Sequence, residues 1–317
     1  MQITVYRPDG LQEEAPERLA ALLRGDGGGV WVDLDRSRPE DAAALDRFGF
    51  HPLAVEDARK AGQRPKAETY NGVLFLTFHA PQLEGAEVAF DEIDLFFTPR
   101  LVVTVRPSRC PVVEEARRRL ARAPAALRQV PAFLLHTILD AAVDAYFPVV
   151  DALDAEIDRL EDDVLARPST AALARIFRTR RALLDTRRHV VPLRDTLSLL
   201  MRHEAAGIVP EVGPYLRDVF DHVLRIIDQI DTHRDLVTGA LEVYLSQVSH
   251  RLNEVMKVLT VITAVFAALT VITGIYGMNF ERALPPWEAP GGFVGVLAFM
   301  GVVTAVMLAL FRWRGWV

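Results

Sequence analysis

The sequence is short of the residues that define secreted, nucleotide-driven or catalytic proteins. Cys110 is the only cysteine among 317 residues, which excludes an intramolecular disulfide and any site built from several cysteines. The first ten residues, MQITVYRPDG, have neither a basic start nor an apolar run, so we expect no signal peptide. A phosphate-binding G-x-x-x-x-G-K-[ST] sequence is absent, and no nucleophile and base stand in a recognisable motif. We therefore expect a protein that is not an enzyme and needs no organic cofactor.

Negative charge is concentrated in the first 250 residues. The net charge is -6, yet five basic and three acidic residues lie from Arg251 onward, so residues 1–250 carry minus 8. An acidic region of this size argues against a nucleic-acid partner and favours divalent cations or basic partners.

Two uncharged stretches dominate the end of the chain. Residues 258–280 and 289–311 each provide 23 residues between flanking charges, and a helix of that length spans roughly 35 Å against a hydrocarbon core of about 30 Å. The chain is thus predicted to be an integral, multi-pass membrane protein. Four basic residues flank the stretches on the terminal side, and only Arg282 lies in the loop between them. By the positive-inside rule we expect both termini to face the cytoplasm. We expect the membrane to be the cell inner (plasma) membrane.

The first 130 residues alternate β-rich and helical segments, which is typical of an α/β domain. Runs rich in Val, Ile, Phe and Thr predict strands at 2–7, 29–35, 73–80, 90–98 and 101–105. Short helices are predicted at 16–24, 39–48 and 52–61, the last two opened by proline.

The remaining sequence is predicted to be helical. Pro168 interrupts a helical hairpin with an acidic first helix and a basic second one, and Ser169 or Thr170 can cap the second helix. A third helix starts after Gly213 and continues without a break into the first apolar stretch, ending near Tyr276. The predicted segments are 1–130 (α/β domain), 131–212 (antiparallel hairpin), 213–255 (stalk), 256–277 (first transmembrane helix), 278–291 (external loop), 292–312 (second transmembrane helix) and 313–317 (cytoplasmic tail).

One face of the long helix is uncharged along its membrane end. Its residues recur at steps of three or four: Asn253, Met256, Leu259, Thr263, Ala267, Thr270 and Gly274. Small and polar residues on one face indicate either a helix-packing seam or the wall of a conduit. Two spanning helices cannot enclose a pore, so the conduit interpretation requires several copies with this face toward the symmetry axis.

Specific sequences within this architecture resemble a known transporter family. The run Tyr-Gly-Met-Asn-Phe at 276–280, followed by a second crossing, closely resembles the signature of the CorA family of magnesium transport proteins. The resemblance extends to Asn-Glu-Val-Met-Lys-Val-Leu-Thr at 253–260 and to His-Pro-Leu-Ala-Val-Glu-Asp at 51–57 with Arg-Pro-Lys at 64–66. It therefore covers essentially the whole chain.

The resemblance implies a funnel-shaped homopentamer in which five long helices surround a central pathway. It assigns the seven residues of the uncharged face to the pore wall and Gly277, Met278 and Asn279 to the selectivity filter. Ala267 and Ala268 stand where the family often has Met followed by Pro, so one hydrophobic constriction is expected to be missing or displaced toward Leu259 and Met256. The loop sequence Met-Pro-Glu-Leu of many relatives is also absent.

Magnesium chemistry explains why neutral oxygens suit such a filter. Mg²⁺ releases water reluctantly, so a fast site should hold the hydrated ion by carbonyl and amide oxygens, as Gly277 and Asn279 provide. Glu281 and Glu288 would raise the local cation concentration outside the pore. The function implied is passive, potential-driven Mg²⁺ uptake, with Co²⁺ or Ni²⁺ as accessory substrates.

The resemblance also implies a regulatory cation at the boundary between subunits. Asp218 lies 35 residues before Asn253, where the family places a stalk acid that shares a cation with a neighbouring subunit. Asp91, Glu92 and Asp94 are the candidate partner acids, and Mg²⁺ is then both substrate and regulatory ligand.

Two other interpretations stay open from the sequence. A zinc transporter of the same superfamily is one, although His203, His222, His233 and His250 form no ligand pattern. A membrane-anchored coiled-coil scaffold is the other, with both apolar stretches serving only as an anchor.

Overall fold

The computed structural model describes residues 1–7, 10–24, 29–85, 87–123, 130–166, 168–202, 207–278 and 290–316. The chain divides into two compact units. One consists of Met1–Asp163 and Ser169–Ala240, and the other of Val164–Pro168 and Leu241–Val317.

The first unit is built on a mixed seven-stranded sheet. Its strands are β1 (Gln2–Arg7), β2 (Gly10–Glu14), β3 (Val30–Asp35), β4 (Lys66–Tyr70), β5 (Val73–Glu84), β6 (Glu87–Phe97) and β7 (Leu101–Arg106). They lie in the order β2-β1-β3-β7-β6-β5-β4. Only the central pair β3 and β7 is parallel, with Val32 opposite Val103, and the other neighbours are antiparallel.

The five strands predicted from β-rich runs are confirmed, with ends that differ by up to four residues. Strands β2 and β4 were not predicted, because their sequences GLQEE and KAETY are mostly polar. Both are edge strands of the sheet, and an edge strand has a neighbouring strand on one side only. Polar and charged side chains are therefore tolerated there.

Short helices surround the sheet and close its core. They are α1 (Leu19–Arg24), α2 (Pro39–Ala44), α3 (Pro52–Lys60) and α4 (Pro111–Arg122), and short 3₁₀ turns adjoin α1 and α2 at Pro16–Arg18 and Leu45–Phe48. The predicted helices at 16–24 and 39–48 are thus each part 3₁₀. Side chains from the sheet and from α2 and α3 bury one core cluster that includes Val32, Leu34, Ala54, Phe75 and Phe96.

Helix α5 (Pro131–Asp144) is apolar enough to be mistaken for a membrane span. The segment Pro131–Ala166 has the length and hydropathy of one, yet 72% of its apolar window is buried within the protein. Helix α5 packs against α4 and against strands β5 and β7. It is therefore a core helix of the first unit.

Helices α6 (Tyr146–Ala166) and α7 (Thr170–Met201) flank the predicted break. The Ser169 hydroxyl accepts a hydrogen bond from the Ala172 amide at 3.1 Å, which confirms the predicted cap. Arg175 of α7 pairs with Glu156 of α6 at 2.9 Å and also with Asp163. The acidic side of α6 and the basic side of α7 are therefore in contact at Arg175.

Helix α8 runs without interruption from Gly213 to Tyr276, a length of 64 residues that confirms the predicted start and end. In the first unit its buried residues follow a three-four repeat: Leu216, Val219, Val223, Ile226, Ile230, His233, Val237 and Ala240. This stripe gives the long helix the packing support that an isolated helix lacks.

The second unit contains the two segments that are exposed as well as apolar. The apolar window of Pro210–Tyr276 is 6% buried, and that of helix α9 (Gly292–Trp313) is 0% buried. Unlike α5, these helices bring their apolar side chains to the surface. This is the pattern expected for membrane-spanning helices.

Candidate functional site

The seven predicted pore residues lie on one exposed side of α8. All of them are exposed in the single chain, including Met256 (57%) and Leu259 (53%). The less exposed residues of the same stretch lie on another side of the helix and are Val261, Ala264, Val265, Ala268, Leu269 and Ile272. At about 100° per residue these two stripes lie on opposite sides of the helix.

Helix α9 also has a single covered stripe. Its half-buried residues are Gly292, Val296, Met300, Val303, Thr304, Met307 and Phe311. Helices α8 and α9 form most of this unit, and each has one side that is less exposed than the rest. The predicted pore face lies on the more exposed side of α8.

Thr260, Thr270, Thr273 and Thr304 each donate a hydrogen bond to a carbonyl oxygen of their own helix. Thr270 Oγ1 donates to the Phe266 carbonyl oxygen at 2.7 Å, and Thr260 Oγ1 donates to that of Met256 at 2.7 Å. Each hydroxyl oxygen still has lone pairs that can accept a hydrogen bond. The face can thus offer neutral oxygens to a hydrated cation without breaking the helix.

Gly274 and Gly277 differ in the space that the chain leaves for a side chain. A Cβ on Gly277 would lie 3.2 Å from the Thr273 carbonyl oxygen, the atom that accepts the Gly277 amide hydrogen bond at 2.9 Å. A Cβ on Gly274 would meet no atom within 4 Å. The tight helix end explains Gly277, whereas no neighbour among the described residues requires Gly274 to be small.

The predicted filter is only partly within the described residues. Met278 follows the end of α8 and is 58% exposed. Asn279, Glu281 and Glu288 lie outside the described residues.

The three candidate partner acids on β6 are engaged within the chain. Asp94 is fully buried, accepts hydrogen bonds from Thr77 (2.6 Å) and Arg36 (2.5 Å), and has its pKa raised by burial to about 6. Glu92 accepts from the backbone amides of Gly62 and Gln63 at 2.5 and 2.8 Å. Asp91 accepts from Gln82, and burial raises its pKa. These contacts compete with any cation.

Asp218 is exposed on α8, and its charge acts on the nearby His136. No metal-ligand cluster among the described residues joins Asp218 to Asp91, Glu92 or Asp94. A site shared between two copies is not represented in a single chain, so the assignment stays a prediction.

A different cluster of possible cation ligands was missed by the sequence interpretation. Ligand atoms of Asp140, Asp144 and His222 lie within 4.8 Å of one another. Arg119 Nη1 bridges the two carboxylates at 2.6 and 2.8 Å and supplies their counter-charge. Burial, and then the neighbouring Asp144, raises the pKa of Asp140. The i, i+4 spacing of the two aspartates on one helix was the available sequence signal.

Comparisons with known proteins place this arrangement among transporters. The chain matches the family described as CorA-like Mg2+ transporter protein over residues 26–313. It is 39% identical to the cobalt/magnesium transport protein CorA of Thermotoga maritima over 90% of this chain and 83% of that protein.

Two solved structures share the fold over nearly the full length. The complete CorA magnesium transporter from Methanocaldococcus jannaschii superimposes with a TM-score of 0.87 at 23% identity, covering 100% of this chain and 98% of that one. The full-length CmaX protein superimposes with a TM-score of 0.79 at 20% identity, covering 98% and 96%. Helices and strands are thus arranged as in those complete chains.

Proposed function

The chain belongs to the CorA-like Mg²⁺ transporter family, whose members are divalent cation transporters rather than enzymes, and we propose that it is a homopentameric channel for passive Mg²⁺ uptake. Co²⁺ and Ni²⁺ are accessory substrates in this proposal. It lies in the cell inner membrane with both termini in the cytoplasm, and its substrate crosses as the hydrated ion.

The observation that carries the proposal is the exposed, uncharged face of α8. The side of α8 opposite this face is partly covered in the second unit, whereas all seven residues from Asn253 to Gly274 are exposed in the single chain. Gly274 has free space beside it in the single chain, and a glycine there lets helices approach closely around a shared axis. A ring of copies buries Met256 and Leu259 and leaves the polar positions facing a pathway.

The electrostatic design favours passage over tight binding. A pore wall without carboxylates attracts a divalent ion weakly enough to release it, and Asn279 with the Gly277 carbonyl provides neutral oxygens at the outer end. Glu281 and Glu288 concentrate cations outside the filter. An inside-negative potential supplies about 4.6 kcal/mol per 100 mV for a divalent ion, twice the value for one charge, so no nucleotide is needed.

Regulation belongs to the first unit in this proposal. Intracellular Mg²⁺ binds near Asp218, screens repulsion between neighbouring acids and favours the closed state, in which Met256 and Leu259 form a dry constriction. His222 lies one turn after Asp218 on α8 and reaches Asp144 at 3.6 Å, so ligands additional to the β6 acids are available. Replacing Asp218 by Lys should weaken inhibition of flux by internal Mg²⁺.

The decisive experiment is ion flux into vesicles that contain the purified chain, with Mg²⁺, Co²⁺ and Zn²⁺ compared at fixed voltage. We expect Mg²⁺ flux from the wild type and its loss, by at least tenfold, in Asn279→Ala, because the filter loses its amide oxygen. Thr304→Ala, on the covered stripe of α9, is the matched control and should keep its flux.

Each alternative predicts a different outcome of this experiment. A scaffold would show no flux and no effect of Asn279→Ala. A zinc transporter would carry Zn²⁺ in preference to Mg²⁺. A monomer in lipid would contradict the channel proposal directly, because one copy cannot surround a pathway.

A further inference from the structure

The end of helix α9 is closed by a specific turn. Gly315 has a φ of +69°, and its amide donates to the Arg312 carbonyl oxygen at 3.0 Å. The Trp316 amide donates to the Phe311 carbonyl oxygen at 2.9 Å. These two bonds with a left-handed glycine form a Schellman motif, which fixes the residues that follow the helix.

The turn creates two distinct tryptophan environments. Trp316 folds back so that its ring stacks on Phe311, with the centroids 5.7 Å apart. Trp313, the last residue of α9, is 82% exposed. Indoles combine a large apolar surface with one N–H donor, and they favour the boundary between hydrocarbon and water.

Two arginines at the same place have no counter-charge among the residues that the structure describes. Arg312 and Arg314 are exposed and make no side-chain ion pair or hydrogen bond with the described residues. Residues 290–316 contain no Asp or Glu. At about 100° per residue, the two guanidinium groups leave the helix end on nearly opposite sides.

We propose that the segment from Arg312 to Trp316, the basic-aromatic turn, binds the headgroups of anionic phospholipids in the cytoplasmic leaflet. This rests on the topology in the proposed function, which places this end of α9 at the inner surface. Guanidinium groups donate in pairs to phosphate oxygens, and the indoles occupy the glycerol region beside them. A free phosphate ion would account for the arginines but not for the exposed Trp313.

Native mass spectrometry of the full-length protein tests this proposal. The detergent-purified chain is equilibrated with equal amounts of phosphatidylglycerol and phosphatidylcholine that carry the same acyl chains. We expect the wild type to retain phosphatidylglycerol preferentially. Each arginine near an anionic surface contributes about fivefold, so Arg312→Gln with Arg314→Gln should reduce this preference by about 25-fold. The paired Lys substitutions should keep most of it.

A matched control separates a local site from overall charge. Arg178 and Arg180 are exposed on α7 and make no ion pair with the described residues. Arg178→Gln with Arg180→Gln changes the net charge equally and should leave the preference intact. An equal loss in this control, or none in the Arg312/Arg314 variant, would overturn the proposal. So would complete displacement of the lipid by inorganic phosphate.

This measurement does not depend on ion flux. A transporting protein without lipid preference would refute only the basic-aromatic turn, and a lipid-binding protein without flux would refute only the channel.

Discussion

The two compact units of this protein satisfy their side chains in opposite ways. In the first unit, most large aromatic side chains of the sheet are buried, such as Trp31, Phe75 and Phe96, and buried carboxylates on the strands are paired. Asp33, for example, accepts from Thr104 Oγ1 at 2.8 Å and pairs with Arg106 at 2.8 Å. In the second unit, apolar side chains of the same size are exposed, such as Phe266 at 65% and Phe299 at 56%.

This contrast shows where each unit obtains its stability. The first unit encloses a core of its own, so water is a sufficient surrounding for it. The second unit leaves its apolar surface for lipid and, in the proposed function, for further copies of the chain. The same substitution should therefore have different consequences in the two units.

The largest expected effect comes from a pair of identical substitutions, one in each unit. Phe96 is buried. Its ring stacks on that of Phe50 with the centroids 4.2 Å apart, and its centroid lies 4.8 Å from that of Phe75. Phe96→Ala should lower the free energy of unfolding by about 3–5 kcal/mol, because it leaves a cavity. Phe266→Ala removes an exposed ring and should change the free energy of unfolding by less than about 1 kcal/mol. Urea unfolding of the full-length protein in detergent, followed by circular dichroism, measures both.

Equal effects of these two substitutions would contradict the division into a self-contained unit and a lipid-dependent one. The same comparison in lipid vesicles is a sharper test. The effect of Phe266→Ala on the free energy of unfolding should depend on whether detergent or lipid surrounds the ring, whereas that of Phe96→Ala should not.

A smaller effect is expected from acid, and it should be confined to the first unit. His79 is buried beside His189, with ring centroids 4.5 Å apart. Burial, then the charges of His189 and Arg36, lower its pKa from 6.5 to about 4. The unfolded chain binds a proton near pH 6.5 and the folded chain only near pH 4, so the contribution of His79 to stability falls as the pH drops through this window, by roughly 3 kcal/mol. Asp94, whose pKa burial raises to about 6, contributes in the opposite direction below pH 6.

Substitution can separate the contribution of His79 to the pH dependence from that of other buried histidines. Burial also lowers the pKa of His136 to about 4, so His136 contributes in the same window. His79→Met should remove part of the pH dependence between pH 6.5 and 4 and leave the contribution of His136. Thermal unfolding of both proteins across this range measures the difference, and identical slopes would exclude His79 as a contributor.

The smallest predicted effect concerns the break between α6 and α7. Ser169→Ala removes the hydroxyl that caps α7 and should destabilise the protein by about 1 kcal/mol. Ser169→Asp keeps an acceptor at the cap and should retain most of the stability. Urea unfolding compares the two variants, and equal losses would mean that the cap contributes nothing.

The predictability of the fold follows the strength of local signals. Strands β3, β5 and β7 are apolar runs buried by the fold, and their content of β-branched and aromatic residues was sufficient to find them. Strand β4, with the sequence KAETY, has no such pattern, because its position depends on pairing with β5. The edge of a sheet is fixed by its neighbour rather than by its own composition.

The candidate site shows the same limit. Residues on the uncharged face of α8 follow one helical repeat, so the sequence alone places them on one side. The cluster of Asp140, Asp144 and His222 joins two helices separated by some eighty residues, and Arg119 completes it from a third. No local repeat encodes that meeting, since long-range packing brings the helices together.

By itself, the sequence determined the α/β class, the continuous long helix, the two apolar spans and the membership of a transporter family. These features depend on periodicity, hydropathy and short motifs, which act between residues that are near one another in the chain. Only the tertiary structure decided that α5 is a core helix rather than a third span, and that the β6 acids are engaged by Arg36, Thr77 and backbone amides. Burial and pairing depend on which distant segments pack together, and composition cannot specify that.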